Sequence, residues 1–414
     1  MSIIGLRDSS NFTTDLRPKN YREGLMLNYR YGVTNKAQLA ALTSLMKTRK
    51  VDDPEFNWWE KNASDQRFLL HATTGDLTTG TTTFLLAATS RSALELKAGD
   101  ILQIEHTNEA IRISADPTIA TSFTAERGVG GTTAAVLDPN GAGVNPYLTV
   151  VGSGYEEGSN APTGIQRDPS KYYNYCQIFR QTLEFTNTAI QTNLRLPGQV
   201  AEAKREALEL LGQSMEWAFF EGNRVETTKN GKPYRMMGGL RSFMPAANIV
   251  QADAANGEQY QELEEKLKDA FKYGSDEKMA FCGDRAMLTI QQIVRKNSSM
   301  QISPMIKEFG MNVQRLTTPF GELVLKRHPM FSDRPGGTTG GTAYYGADAW
   351  CWIMDMSNLQ YVHLQGRDIK YEPKLQAPDL DGEKSGYLGE LSIEVRNAAS
   401  FYLIEDLASA AVDA

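Results

Sequence analysis

The chain has 414 residues, more than one hydrophobic core usually organises, so we expect two or three domains. Hydrophobic residues make up 41% and charged residues 22%, which is ordinary globular usage and excludes a chain that is disordered throughout. The 43 Lys and Arg against 50 Asp and Glu leave a net charge of -7, which argues against a dedicated nucleic-acid binder because counterion release needs a cationic surface.

The N-terminal segment has no basic region leading into a sustained apolar stretch, so we expect no signal peptide. No apolar run approaches the ~18 residues of a transmembrane helix, so we expect no membrane partner. The sequence therefore predicts a soluble protein made in the cytoplasm.

Residues 1–33 look extended and carry apolar side chains that this segment cannot bury by itself. Such a segment is typical of an arm lying on another surface, and Tyr21, Leu25 and Tyr29 are its candidate contacts. A capping box and apolar residues at helical spacing predict one helix over residues 35–50.

An acidic and aromatic segment follows the arm. Paired carboxylates beside tryptophans can hydrolyse glycosides, and this interpretation stays open. Aromatic residues that anchor an extended arm against a neighbouring domain are more frequent, so packing is the favoured interpretation. The carboxylates are Asp52, Asp53, Glu55 and Glu60, and the aromatic contact candidates are Phe56, Trp58 and Trp59.

From about residue 68 to 151 the composition turns to Thr, Gly and branched apolar residues in alternating runs bounded by turn residues. No helical pattern intervenes, so the sequence predicts a small all-β unit. A further strand pair is predicted over residues 172–186. The strands predicted within the unit cover residues 82–88, 101–105, 110–114 and 147–151.

The strongest helical pattern covers residues 197–220. An apolar stripe that includes Leu211 and Met215 runs along it, while Glu209 and Glu216 are placed on the polar side. A polar loop is predicted around residues 229–232. A second helix is predicted over residues 258–273.

The C-terminal part mixes short strands with one more helix, which begins at Asp284. Residues 336–342 are predicted to be a flexible loop tip. A last long strand is predicted over residues 391–404. The other predicted strands cover residues 278–282, 313–317, 322–328, 349–354, 360–364 and 368–372.

Motifs for chemistry are missing from the sequence. Asp379, Asp381, Glu383 and Glu390 have the spacing of a calcium loop, but Lys384 stands where that loop requires glycine. The cysteines at 176, 282 and 351 are far apart and odd in number, so each is predicted to be a small buried hydrophobe. We therefore predict no catalytic, cofactor-binding or metal-ligating residue, no cofactor and no enzyme activity.

Four short segments carry a resemblance to a known family. They are Val-Asp-Asp-Pro-Glu-Phe-Asn-Trp-Trp-Glu (51–60), Ala-Gly-Asp-Ile-Leu (98–102), Tyr-Glu-Glu-Gly-Ser (155–159) and Asn-Tyr-Cys-Gln-Ile-Phe (174–179). Together with the order of elements, they resemble tailed-bacteriophage major capsid proteins, in the branch of the SU10-type major head proteins. The resemblance implies an α+β chain with the Johnson fold, the phage major capsid fold shared by tailed-phage and herpesvirus shells.

The resemblance also implies a division of the chain into domains. Residues 1–50 would form the N-terminal arm, and residues 51–196 an extended loop that carries the inserted all-β domain at about 65–165. The peripheral domain, with a spine helix at 197–220, would cover residues 197–275. Residues 276–372 would form the axial domain, and residues 373–414 would return to the peripheral domain.

As for partners, the resemblance implies self-assembly into the hexamers and pentamers of an icosahedral shell that encloses double-stranded DNA without sequence-specific binding. It also implies a virion assembled in the host cytoplasm, with a portal, a separate scaffolding protein and possible minor or decoration capsid proteins. Two alternatives stay open: the shell protein of a nanocompartment with an enzyme cargo, and a glycan-binding or glycan-cleaving virion protein.

Overall fold

The computed structural model describes residues 48–61, 66–71, 77–139, 141, 144, 146–162, 164, 166, 168–191, 199–252, 260–296, 301–302, 306–308, 311–339, 342–344 and 346–407. The chain forms two compact units. The inserted unit is Trp59–Ser170, and the host unit combines the described residues up to Trp58 with those from Lys171 onward. Both helices and strands are present, which confirms the α+β class.

Strands dominate the described residues. In chain order they are β1 (Thr48–Val51), β2 (Glu55–Glu60), β3 (Arg67–Leu69), β4 (Thr83–Leu85), β5 (Asp100–Ile104), β6 (Glu109–Ile113), β7 (Ser122–Glu126), β8 (Tyr147–Ser153), β9 (Ser170–Tyr175), β10 (Gln177–Thr186), β11 (Val225–Lys229), β12 (Lys232–Met236), β13 (Ile249–Gln251), β14 (Glu277–Cys282), β15 (Gln301–Ile302), β16 (Ile306–Glu308), β17 (Met311–Thr318), β18 (Gly321–Arg327), β19 (Gly337–Thr339), β20 (Thr342–Tyr344), β21 (Cys351–Met354), β22 (Leu359–Leu364), β23 (Lys370–Glu372), β24 (Gly382–Val395) and β25 (Tyr402–Glu405). The helices are α1 (Asn187–Gln191), α2 (Gln199–Glu221), α3 (Leu240–Phe243), α4 (Tyr260–Ala270), α5 (Asp284–Lys296) and α6 (Pro329–Ser332).

An eight-stranded sheet is the centre of the host unit, with the order β13-β25-β21-β14-β18-β17-β15 and β16 paired to β17. Successive residues of its strand β14 point to opposite faces, as the period of two requires. Ala280 and Cys282 pack with helices α4 and α5, whereas Met279 and Phe281 pack with helix α2. The sheet is therefore buried on both faces, which explains why its central strands are almost entirely apolar.

A second sheet of the host unit has the order β1-β22-β24-β10, with β23 also paired to β24. Helix α2 packs on it, because Leu211 and Met215 share one hydrophobic cluster with Phe179 of β10 and Ile393 of β24. The predicted helix over residues 197–220 is thus confirmed, and its stripe is the buried side.

One buried lysine ties helix α4 to the sheets of the host unit. The Nζ atom of Lys278 donates hydrogen bonds of 2.7 Å to the carbonyl oxygens of Ala270, Tyr273 and Ser400. Burial lowers the pKa of Lys278 to about 8, although the nearby Asp355 carboxylate opposes this effect. A cation at a helix C-terminus complements the carbonyl groups that lack intrahelical partners.

The inserted unit is a closed barrel. Its six strands are paired in the order β3-β8-β5-β6-β7-β4. The ring closes between the two ends of this order, because the His71 amide donates to the Leu85 carbonyl oxygen and the Ala87 amide donates to the Leu69 carbonyl oxygen, both at 2.9 Å. Closure leaves this sheet without an edge to pair with another chain.

The barrel interior is filled by apolar side chains from every strand, including the stacked pair Phe84 and Phe123 with ring centroids 5.3 Å apart. A buried ion pair joins Glu109 to Arg127, whose guanidinium also donates to the Ala135 carbonyl oxygen. Burial alone would raise the pKa of Glu109, but hydrogen bonds from Arg127 and from backbone amides hold it below its usual value. The inserted unit therefore has its own hydrophobic core and its own buried ion pair.

Several elements differ from the sequence-based predictions. The last long strand is in fact two strands, because Asn397 adopts a left-handed conformation and turns the chain between β24 and β25. Residues 229–232 are the turn of the β11–β12 hairpin, in which Asn230 and Gly231 both have positive φ angles, as a type I′ turn requires. The predicted loop tip at 336–342 contains strand β19 and the first residue of strand β20, and these two strands pair with each other.

Two further differences concern strand partners. Residues 48–51 form strand β1, paired to β22, where the sequence predicted the end of a helix; the rest of that predicted helix lies outside the described residues. Strands β9 and β10 do not pair with each other: β9 pairs with β2, and β10 pairs with β24.

The sheets group the chain differently from the domain bounds that the resemblance implies. Strand β22 lies within residues 276–372, yet it pairs with β24. Strand β25 lies within residues 373–414, yet it pairs with β21 of the eight-stranded sheet. The domain roles themselves stay predictions.

Because the two units have separate hydrophobic clusters, we expect each to fold alone. Replacing residues 61–169 with a short Gly-Ser linker between the paired strands β2 and β9 should leave a host unit that unfolds cooperatively, as followed by circular dichroism. Residues 59–170 expressed alone should show their own cooperative transition. A barrel fragment without a sigmoidal transition would contradict this independence.

Candidate assembly surfaces

The sequence-predicted contact residues divide into three groups in the structure. Tyr21, Leu25 and Tyr29 lie outside the described residues. Phe56 and Trp58 are only 4% and 6% exposed, because alternate side chains of β2 point into a small core of the host unit. Their rings are thus packed within their own chain, as the packing interpretation expects, and their role as inter-subunit contacts stays a prediction.

Trp58 is the centre of this small core. Its ring centroid lies 6.0 Å from that of Phe56, 6.2 Å from that of Tyr172 and 5.7 Å from that of Phe243. The next residue, Trp59, points the opposite way and is 61% exposed. Of the three aromatic candidates, only Trp59 presents its ring to solvent.

The carboxylates near these tryptophans do not form a hydrolytic pair. Glu55 and Glu60 are five residues apart on strand β2, so their side chains point to opposite faces. Asp53 instead accepts a hydrogen bond of 3.0 Å from the Glu55 amide. Strand β2 therefore does not hold Glu55 and Glu60 together as a hydrolytic pair.

The calcium-like spacing is not realised either. Glu383 and Glu390 lie in the extended strand β24, so they cannot wrap around an ion in the manner of a loop. Glu390 accepts instead from Arg367 at 2.6 Å. Within the described part of the chain, no group of three or more His, Cys, Asp or Glu side chains could hold a metal ion.

The β11–β12 hairpin is an exposed element of the host unit, because both of its strands are largely solvent-exposed. Its register places Val225 opposite Met236 and Thr227 opposite Tyr234 on one face. Lys229 and Lys232 pair at the tip of that same face. The opposite face carries a Glu226–Arg235 ion pair of 2.8 Å.

A two-stranded hairpin is marginal in water unless one of its faces is covered. The apolar and cationic face of β11–β12 is therefore suited to contact another surface. Its Asn-Gly turn between two short runs is a hairpin signal in the sequence, although residues 229–232 were predicted to be a polar loop.

Helix α2 also exposes apolar residues that the sequence analysis did not single out. Around the axis of α2, Leu208 and Leu210 lie on either side of the buried stripe, and their side chains are 46% and 50% exposed. Leu211 lies in the stripe between them and is 2% exposed. Both exposed leucines lie in the N-terminal half of α2, whereas the α2 residues of the host-unit core cluster begin at Leu211.

Glu216 corrects the predicted polar side of α2, because it is buried. Its Oε1 atom lies 2.6 Å from Nε2 of His328, which is also buried. The imidazole is surrounded by the rings of Phe220, Phe281 and Phe331, with centroid distances of 5.6, 5.6 and 4.3 Å. The position of Glu216, one turn before the buried Phe220, was the available signal for this inward orientation.

None of the described helices is both long enough and apolar enough to span a bilayer. The major capsid protein of Pseudomonas phage PaMx41 is 26% identical over 287 residues, which cover 67% of this chain and 64% of that protein. The chain thus spans slightly less than two thirds of this relative's length.

Solved structures give weaker similarities. A chain of Mycobacterium phage Patience superposes with a TM-score of 0.41 at 9% identity, covering 63% of this chain and 79% of that chain. A chain of the holo-SrpI encapsulin complex from Synechococcus elongatus PCC 7942 gives 0.40 at 10% identity, covering 60% and 79%.

The family comparison is decisive. A family model described as the SU10 major capsid protein matches residues 31–408, nearly the whole chain. This match confirms the resemblance to the SU10-type major head proteins. The chain therefore belongs to the SU10 major capsid protein family.

Proposed function

We propose that this protein is the major head subunit of a tailed phage and that it assembles into the hexamers and pentamers of an icosahedral shell. The observation that carries the proposal is the family match over residues 31–408. The same match supports the Johnson fold for the host unit, with α2 as the spine helix.

Three exposed features support assembly through many modest contacts. They are Trp59, the apolar and cationic face of the β11–β12 hairpin, and the flanking leucines of α2. Each alone would bind a neighbour weakly, but contacts linked around a closed ring add as avidity. The arm at residues 1–50, with Tyr21, Leu25 and Tyr29, is proposed to reach adjacent subunits.

The remaining partners follow from the same proposal. The shell encloses double-stranded DNA without reading its sequence, and the net charge of -7 keeps the packaged DNA from adhering to the wall. A portal, a separate scaffolding protein and minor or decoration proteins complete the particle, which assembles in the host cytoplasm. The domain roles predicted for residues 51–196, 197–275, 276–372 and 373–414 are part of the proposal.

Electron microscopy of the purified full-length chain tests the proposal. Rings or closed shells are the expected result, whereas a monodisperse monomer at all concentrations, both for the chain alone and for the chain co-expressed with its scaffolding protein, would overturn it. The content of particles from infected cells then separates the alternatives. Double-stranded DNA supports a phage head, and an enzyme cargo would identify a nanocompartment.

Trp59 allows a test of the contacts themselves. We expect Trp59→Ala to lower the yield of assembled particles while changing the unfolding free energy by no more than about 0.5 kcal/mol, because its ring is mostly solvent-exposed. Trp59→Phe should restore assembly, since it keeps an aromatic side chain. Assembly by Trp59→Ala at the wild-type yield, measured by sedimentation, would remove Trp59 from the subunit interface.

A further inference from the structure

Two of the three cysteines meet in the core of the eight-stranded sheet. The Sγ atoms of Cys282 on β14 and Cys351 on β21 are 3.3 Å apart, although the residues are 69 positions apart in the chain. Their wide separation in sequence gives no signal of this contact. Both are buried and both are free thiols in the structure.

The backbone geometry at this pair decides whether a covalent bond could form. Strands β14 and β21 are antiparallel, and Cys282 lies directly opposite Cys351. The next pair along the ladder carries a hydrogen bond, from the Gly283 amide to the Trp350 carbonyl oxygen at 3.0 Å. The Cys282 carbonyl oxygen instead accepts from the His328 amide, on the side away from β21.

Cys282 and Cys351 are therefore a non-hydrogen-bonded pair of an antiparallel ladder. Such pairs have Cα atoms about 4.5 Å apart, closer than hydrogen-bonded pairs. A disulfide needs Cα atoms about 4.4 to 6.8 Å apart. The strands thus hold the two thiols at a spacing that a disulfide accepts without moving the sheet.

We propose that Cys282 and Cys351 form an intrachain disulfide bond that joins β14 to β21 across the eight-stranded sheet. With hydrogen peroxide as the oxidant, one thiol loses its proton, and its thiolate attacks a peroxide oxygen and becomes a sulfenic acid. The O–O bond breaks, and the hydroxide that leaves takes up that proton to give one water. The second thiol then attacks the sulfenic sulfur, which forms the S–S bond and releases a second water. Two thiols and one peroxide give one disulfide and two waters.

The surroundings of the pair make this reaction slow in the folded chain. The hydrogen bond with Cys351, together with burial, raises the pKa of Cys282 well above its usual value, so the reactive thiolate is scarce. The thiols should therefore persist while the protein is in a reducing compartment. They should form the disulfide when the chain folds, or opens locally, in an oxidising compartment.

The bond would add a constraint that the reduced chain lacks. It closes a loop that contains α5, both hairpins β17–β18 and β19–β20, and half of the eight-stranded sheet. Closing a long loop restricts the unfolded chain and stabilises the folded one. If the proposed function holds, subunits assemble in the host cell with both cysteines reduced, and the disulfide forms after the particle leaves the cell. Formation of the bond itself does not depend on that function.

Thiol mapping of the full-length protein tests the proposal. One sample of folded protein is incubated with hydrogen peroxide, and a second is refolded in a mixture of oxidised and reduced glutathione. Both are then denatured, alkylated, digested and examined by mass spectrometry. We expect peptides linked through Cys282 and Cys351, formed slowly in the first sample and rapidly in the second, with Cys176 still alkylated.

Cys176 is the matched control, since it is buried in the separate Trp58 core and burial raises its pKa to about 12. Cys176→Ala should leave the link intact, and Cys282→Ala should abolish it. The linked chain should unfold at a higher temperature, and a reducing agent should reverse that shift. Both thiols fully alkylated in both samples, or a link through Cys176, would overturn the proposal whatever the particles look like in the microscope.

Discussion

Leu211→Asp is expected to prevent the host unit from folding, whereas Leu210→Asp leaves it folded. Leu211 is 2% exposed in the core between α2 and the two sheets, and Leu210 next to it is 50% exposed. An ionised carboxylate buried without a partner costs several kcal/mol in addition to the lost apolar contacts. That is comparable to the whole stability of a domain, about 5 to 15 kcal/mol.

Circular dichroism and soluble yield of the two variants check this prediction. Glu209→Lys is a second surface control, because the Glu209 side chain is half exposed and pairs with Arg205 at 3.3 Å on the same helix. A folded Leu211→Asp together with an unfolded Leu210→Asp would mean that α2 packs through a different side. The assignment of α2 as the spine helix would then fail.

His328→Leu is expected to lower the unfolding free energy by about 2 to 4 kcal/mol, because Glu216 then loses its imidazole partner in an aromatic environment. Glu216→Leu should be destabilising as well, since it leaves Nε2 of His328 without that carboxylate. The double variant Glu216→Leu/His328→Leu should recover most of the loss, because two apolar side chains suit the surrounding phenylalanines.

Urea unfolding of the four proteins gives the coupling between the two positions. The loss of unfolding free energy in the double variant should be smaller than the sum of the two single losses by at least about 1 kcal/mol. Strict additivity would mean that the 2.6 Å contact contributes little and that each side chain is held by its other neighbours.

Local periodicity was sufficient for much of the fold. The 3.6-residue pattern predicted α2 and its buried stripe, and the composition change near residue 68 predicted an all-β unit. Closure of the barrel was not predictable, because it depends on hydrogen bonds between β3 and β4 whose registers no local pattern encodes. The meeting of Cys282 and Cys351 has the same cause, since strand register is a property of the whole sheet.

Local sequence patterns are also insufficient to place the individual side chains of the candidate contacts. The aromatic segment was found from its composition, but its composition does not say which rings are buried. Alternation along strand β2 decides this, and it buries Phe56 and Trp58 while exposing Trp59. Glu216 was misplaced for a related reason. Its charge suggested solvent, whereas its partner His328 comes from a distant part of the chain.

The closed barrel also bears on how the domain content of such a chain could evolve. Strands β3 and β8 are antiparallel neighbours, so the chain enters and leaves the barrel at the same end. A folded insertion with adjacent termini acts like a short loop for its host, and it avoids the closure entropy that an unstructured segment of equal length would impose. A whole barrel could therefore be gained, lost or exchanged for another domain at this position, and a foreign domain with close termini could be displayed there, without redesign of the host core.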